Sequence, residues 1–238
     1  SASGPESMES EPPLSPGRPL IETVLFDLDN TLLDRDAGFM RFCSELYRTS
    51  TSIRKTHTEE EAVALMVSFD ADSRPRADMI GDMIRLWPGV FDNVEHGMRV
   101  YSKEYPRALH LELPTRRLLE NLRDQGIPTA VVTNGPTNIQ RAKARESGVE
   151  GLVRSVVISE ELGIAKPEEG IFLRALELTG ASATTTLFVG DNPEADILGA
   201  QGLGMLTAWV HRGREWPYAG QRPDYLVGHV SEVGELVG

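Results

Sequence analysis

Five short apolar runs rich in β-branched side chains constrain this chain more than any other feature. They are Thr23–Leu28, Thr129–Thr133, Val153–Ser159, Thr186–Val189 and Met205–Val210. Each is too short for a helix and too continuously apolar for a sheet with one wet face, which fits strands buried on both faces of a parallel sheet. Helical stretches separate them and end in glycine. Leu118, Leu119 and Leu122 precede Gly126, the segment Thr137–Ser147 precedes Gly148, and Ile171, Phe172, Ala175 and Leu176 precede Gly180. Glycine just past a helix, followed by a strand, is the connection of a repeated β-α-β unit. The pattern predicts an α/β fold built on a doubly wound parallel sheet.

One interval breaks the alternation. From about Arg35 to His110 there is no strand pattern, only apolar stripes at helical spacing: Phe39, Phe42, Cys43 and Leu46, then Met79, Ile80, Met83 and Ile84, then Val94, Met98, Tyr101 and Tyr105. Residues 36–110 are therefore expected to form a small helical domain beside a core made of residues 20–35 and 111–238. Residues 1–19, rich in Ser, Pro and Glu, have almost nothing to bury and are expected to be a disordered tail.

Charge narrows the functions available. With 36 acidic against 24 basic side chains the net charge is −12, which argues against a nucleic-acid binder. An acidic chain that handles anions must gather its positive charge locally. No run approaches the ~20 apolar residues of a membrane span, and no basic-then-apolar leader opens the sequence. The single Cys43 has no partner for an internal disulfide, so the expectation is a cytoplasmic protein. The five histidines, His57, His96, His110, His211 and His229, lack zinc-ligand spacing.

Four motifs fall at the ends of the expected strands. Asp27-Leu28-Asp29-Asn30-Thr31 follows the first run; two carboxylates there are costly unless a cation or a hydrogen-bond network offsets them, although Asp and Asn also favour simple turns. Thr133-Asn134-Gly135 follows the second. Thr137 and Gln140 read as a capping box for the next helix, which leaves Thr133 and Asn134 to offer a hydroxyl and an amide to a phosphate oxygen. Lys166-Pro167-Glu168-Glu169 reads as a helix start with a lysine at the cap position, where its charge and the helix dipole would act together on an anion. Gly190-Asp191-Asn192-Pro193-Glu194-Ala195-Asp196 combines an Asn-Pro helix start with Asp191 and Asp196, which capping does not explain. Carboxyl ends of parallel strands are where open α/β sheets form ligand crevices. Together the motifs supply carboxylates for a divalent cation, a lysine, and hydroxyl and amide donors, a set that suits Mg²⁺ and a phosphoryl group.

DLDNT, TNG, KP and GDNPEAD, in this order, resemble the haloacid dehalogenase-like (HAD) hydrolase superfamily over nearly all of residues 21–237. The resemblance implies a Rossmann-like core with an inserted helical cap domain over residues 36–110. It implies that Asp27 is a nucleophile forming an aspartyl-phosphate and that Asp29 is the general acid and base. Thr133, Asn134 and Lys166 would bind phosphate, with Lys166 also orienting Asp27. Asp27, the main-chain carbonyl of Asp29, and Asp191 would hold Mg²⁺, and Asp196 would brace them. An acid at Asp29 separates the chain from true dehalogenases. The implied activity is Mg²⁺-dependent hydrolysis of a small-molecule phosphate monoester. The endings WVHRG and PDYLV resemble phosphatases of nucleotides or sugar phosphates. A phosphomutase, or a binding protein using the same fold without turnover, are the alternatives. Selectivity is expected from the cap, where Arg41, Arg74, Arg76, Arg85, Arg99 and Arg107 are candidates for a carboxylate or second phosphate. A monomer is compatible with all of this.

Overall fold

The computed structural model describes residues 19–70 and 74–237. The expected tail, residues 1–19, lies outside these apart from its last residue. Strand β1 (Thr23–Phe26) is buried at every position, and the chain leaves it through a turn in which Asn30 adopts a left-handed conformation, φ 62°. Five helices follow: α1 (Arg35–Thr49), α2 (Thr51–Arg54), α3 (Glu59–Phe69), α4 (Arg76–Leu86) and α5 (Val94–Arg107). Helix α1 starts where the Asp34 carboxylate accepts the Ala37 N–H. Helix α3 starts at a reciprocal capping box between Thr58 and Glu61.

Regular alternation then takes over. Helix α6 (Leu113–Asp124) leads into β2 (Thr129–Thr133), α7 (Thr137–Glu146) into β3 (Ser155–Ile158), and α8 (Ser159–Leu162) and α9 (Glu169–Thr179) into β4 (Thr186–Gly190). A wide π turn over Pro193–Leu198 runs into α10 (Gly199–Gly202), before β5 (Leu206–Val210) and β6 (Tyr225–Val227). All six strands are parallel, in the order β3-β2-β1-β4-β5-β6. This is the Rossmann-like order, and the chain winds in opposite directions from β1. Phe26 lies opposite Val131 and Val189, so Asp27, Thr133 and Asp191 emerge along one edge beside the reversal point.

Strand side chains alternate between two cores. Leu25, Ala130, Val132 and Phe188 face α9 through Ile171, Phe172 and Leu176. Val24, Phe26, Val131 and Val189 face the other way, and that core runs on without a break through Leu119 into Phe39, Tyr105 and Met83 of the five-helix segment. No helix among the described residues is long and apolar enough to cross a membrane.

The strand readings hold, with ends shifted by a residue or two and Asp27 left just outside β1. Three details differ. Strand β6 gave no apolar run. Pro136, not Thr137, occupies the cap of α7 without a side-chain hydrogen bond, because the Thr137 N–H is taken by Glu160 and Gln140 is drawn elsewhere. Lys166 is not at a helix cap: α9 is capped at Glu168, since Lys166 precedes a proline and is disfavoured from helical backbone.

Candidate active site

Lys166 organises the carboxyl edge. Its ammonium is buried and donates at 2.7 Å to Asp27 Oδ1, to Asp196 Oδ1 and to the Val132 carbonyl, which uses all three of its protons. Burial works against this charge, but the two carboxylates outweigh burial and hold the lysine protonated. Its main chain is clamped as well. Asn134 Nδ2 donates to the Lys166 carbonyl and Asn134 Oδ1 accepts the Lys166 N–H, both at 2.9 Å.

Asp27 is aimed from both sides, since its Oδ2 accepts the Thr31 hydroxyl at 3.1 Å. Burial, with Asp196 and Asp191 close by, overrides Lys166 and pushes its carboxyl up to about 8. Asp191 is likewise pushed up to about 6, first by burial and then by Asp196, although Arg214 reaches its Oδ2 at 3.1 Å. Asp196 arrives from the π turn, and its Oδ2 accepts the Asn192 N–H at 2.9 Å. Asn192 starts that turn as expected, accepting the Glu194 and Ala195 N–H groups. Gly190 makes the approach possible: a Cβ there would lie 2.3 Å from Asp196 Oδ2.

Carboxylate oxygens of Asp27, Asp191 and Asp196 lie within 4.8 Å of one another. Three carboxylates around one lysine leave an excess of negative charge in a buried place, which a divalent cation would relieve. Three of their oxygens have no cationic partner among the described residues: Asp191 Oδ1, Asp27 Oδ2, which accepts the Thr31 hydroxyl, and Asp196 Oδ2, which accepts the Asn192 N–H. The donor set fits an oxygen-loving metal.

Asp29 stands apart from this cluster. Lys143 donates to both of its oxygens at 2.8 Å, and Gln140 Nε2 donates to Oδ2 at 3.0 Å and to Thr133 Oγ1 at 2.6 Å. Burial opposes its charge, but Lys143 and Gln140 prevail and hold its carboxyl below the usual range. For Lys143 burial wins, and Arg35 and Arg76 add to it, so its ammonium is pulled below its ordinary value. A crevice of about 760 Å³ opens above these groups, lined by Asp29, Asn30, Arg35, Asn134, Asp191 and Arg214.

All seven residues singled out in the sequence thus converge on one edge. Lys143, Gln140, Arg214 and Arg35 were not among them. The six cap arginines line none of this crevice: Arg41 donates to the Ala108 carbonyl, and the others pair with Asp70, Asp82, Glu95 or Glu104.

The parallel sheet and the helices around it are shared with known enzymes. Residues 21–204 match the haloacid dehalogenase-like hydrolases, and the chain belongs to that family. A phosphoserine phosphatase of Thermus thermophilus is 36% identical over 244 residues, spanning 90% of this chain and 98% of that protein. A glyceraldehyde 3-phosphate phosphatase of Methanopyrus kandleri is 36% identical over 216 residues, 82% of this chain and 86% of its own. The solved structure of a HAD phosphatase from Thermococcus onnurineus aligns at a TM-score of 0.65 and 27% identity, covering 91% of this chain and 97% of that one. Within the family the chain is a phosphatase.

Proposed function

We propose that the protein hydrolyses a small-molecule phosphate monoester, with Mg²⁺ as cofactor, through an aspartyl-phosphate on Asp27. The observation that carries this reading is Asp27 itself, held by Lys166 and Thr31 at the mouth of an acidic cluster. The Asp27 carboxylate, ionised where a cation offsets the burial and the neighbouring acids that raise its pKa, attacks phosphorus, and the ester P–O bond breaks. Asp29, ionised beside Lys143, passes a proton from that ammonium to the departing alkoxide, then takes one from the water that displaces the phosphoryl group from Asp27 and returns it to Lys143. Asp27, Asp191 and the main-chain carbonyl of Asp29 would hold the metal, which when bound supplies positive charge to the phosphoryl oxygens.

The Thr133 hydroxyl accepts from Gln140 and retains its own proton for a phosphate oxygen. Asn134 serves the phosphate site by fixing the Lys166 main chain, because both ends of its amide are taken there. The five-helix segment, which starts at Arg35 and fills the expected interval 36–110, acts as the cap over the crevice. Cytoplasmic residence fits this role.

Release of phosphate from p-nitrophenyl phosphate, with Mg²⁺ or with EDTA, tests the reading. Turnover should need the metal, and Asp27→Asn should abolish it, with mass analysis excluding reversion of Asn to Asp. EDTA-resistant turnover overturns the metal assignment. A requirement for a bisphosphate activator indicates a mutase, and no turnover of any ester indicates a binding protein.

A further inference from the structure

Asp29 has a second neighbourhood on its helical side. Lys143, Arg35, Asp70 and Arg76 gather there beneath Tyr105. The Asp70 carboxylate is 4% exposed and holds Arg35 Nη2 at 2.7 Å and Arg76 on its other oxygen. The Lys143 ammonium lies 5.1 Å from the Tyr105 ring centre. The Tyr105 hydroxyl, buried above it, has no hydrogen-bond partner among the described residues. Three cations (Lys143, Arg35, Arg76) thus meet two buried carboxylates (Asp29, Asp70), and the third counter-charge is the exposed Asp36 at Arg35 Nη1. Asp36 also lines the crevice, and Arg212 meets both it and Asp34.

The counter-charge of one cation therefore comes from an exposed carboxylate, which an incoming anion can replace. Of the three cations only Arg35 lines the crevice, and it is fixed in advance. Its N–H donates to Asn30 Oδ1 at 3.0 Å, while Asp70 fixes the guanidinium. Its Nη1 rests on Asp36, which is 55% exposed, a rim pair of the weak kind that a ligand can replace. If Asp29 protonates the leaving oxygen, the alcohol half of the ester must extend on Asp29's side of the phosphate, toward Arg35.

We infer that Arg35, braced by Asp70, selects the leaving group by binding a carboxylate on the alcohol half, so that phosphorylated hydroxy acids are preferred substrates. Exchange for the single Asp36 carboxylate on Arg35 suits one carboxylate of the ligand better than a second phosphate dianion. The inference rests on the phosphatase reading of Asp27 and Asp29. It assigns a specificity role to a residue that would otherwise only staple the cap's entry to its interior.

The test compares kcat/KM for 3-phosphoglycerate with that for glycerol 3-phosphate, which carries a neutral hydroxymethyl in place of the carboxylate. Wild type should favour the acid by about thirty-fold or more, the scale of a lost charge-paired contact. Arg35→Gln should collapse that ratio. Arg35→Lys, which keeps the charge but not the planar fork, should restore only part of it. A wild-type ratio near one overturns the inference, and so does an Arg35→Gln variant that loses activity on both esters equally. Preference for propane-1,3-diol bisphosphate over 3-phosphoglycerate overturns the carboxylate assignment. If Arg35→Gln does not fold, the wild-type ratio and Arg35→Lys decide. Failure on p-nitrophenyl phosphate as well would sink the phosphatase reading itself, whereas hydrolysis of that ester without preference for the acid sinks only the role of Arg35.

Discussion

Lys143→Met keeps the length and apolar stem of a buried side chain and removes only its charge. Lys143 reaches both Asp29 oxygens at 2.8 Å, and a unit pair at that separation is worth about 6 kcal/mol at an effective dielectric near 20. Burial of both ions offsets most of that gain, so the intact pair adds little. Breaking it strands one charge, at about 3–5 kcal/mol. Asp29 keeps the Gln140 amide and is 22% exposed, so the lower end, about 3 kcal/mol, is expected at neutral pH. Adding Asp29→Asn removes the stranded charge, and the double variant should recover about 2 kcal/mol of the loss. The sign with pH follows from Asp29. In the wild type its carboxyl lies below the unfolded value, so its contribution is present above about pH 4 and is lost as pH falls through the lower native value. In Lys143→Met burial acts with little opposition, and the native value rises above the unfolded one. The penalty is then full at high pH and fades toward about pH 4, where both states carry the proton. Urea unfolding of the wild type, single and double variants at about pH 7.5, 5.5 and 4.5 measures this. A loss below about 1 kcal/mol at the highest pH, or one equal at all three, refutes the reasoning.

Two further outcomes follow from the site. Gly190→Ala should push Asp196 away and raise the Mg²⁺ concentration for half-maximal activity by about tenfold or more, because groups behind metal ligands carry that scale of effect; an unchanged metal titration would show that Asp196 braces nothing. Asp29→Asn should give a burst of nitrophenol, at most about one per site, with p-nitrophenyl phosphate, and no burst with glycerol 3-phosphate, because a good leaving group needs no acid while water still needs a base. Stopped-flow absorbance and acid-quench trapping of phosphoenzyme read this, and a variant without burst or trapped phosphoenzyme points away from Asp29 as the base.

The sheet was legible because its strands are buried on both faces and so read as unbroken apolar runs. Strand β6 was not, since Tyr225–Val227 is three residues long and only Val227 is buried. The four strand-end motifs were legible because carboxylates and a lysine there conflict with burial. Residues whose types suit ordinary roles stayed hidden. Gln140 sits at the spacing of a capping box, and a lysine near a helix end such as Lys143 looks like a partner for the helix dipole. Their actual partner is Asp29, more than a hundred positions away in sequence. Arg35 opens a helix and reads as surface. No spacing rule reports that Asp70 holds it at the crevice.

The two hydrogen bonds between Asn134 and the Lys166 peptide copy a rung of a β-ladder with a side chain in place of one strand. That gives position 134 a very small alphabet. Aspartate offers only acceptors and would face the Lys166 carbonyl with a like dipole. Serine and threonine are too short to meet the donor and the acceptor together, and glutamine adds a methylene that breaks the register. The main chain of the loop holding Lys166 is therefore coupled to the end of β2 by one amide, beside the Lys166 ammonium on the Val132 carbonyl. A change at either segment that shifts the backbone by more than a hydrogen bond can stretch would move the ammonium off Asp27 without touching either charge.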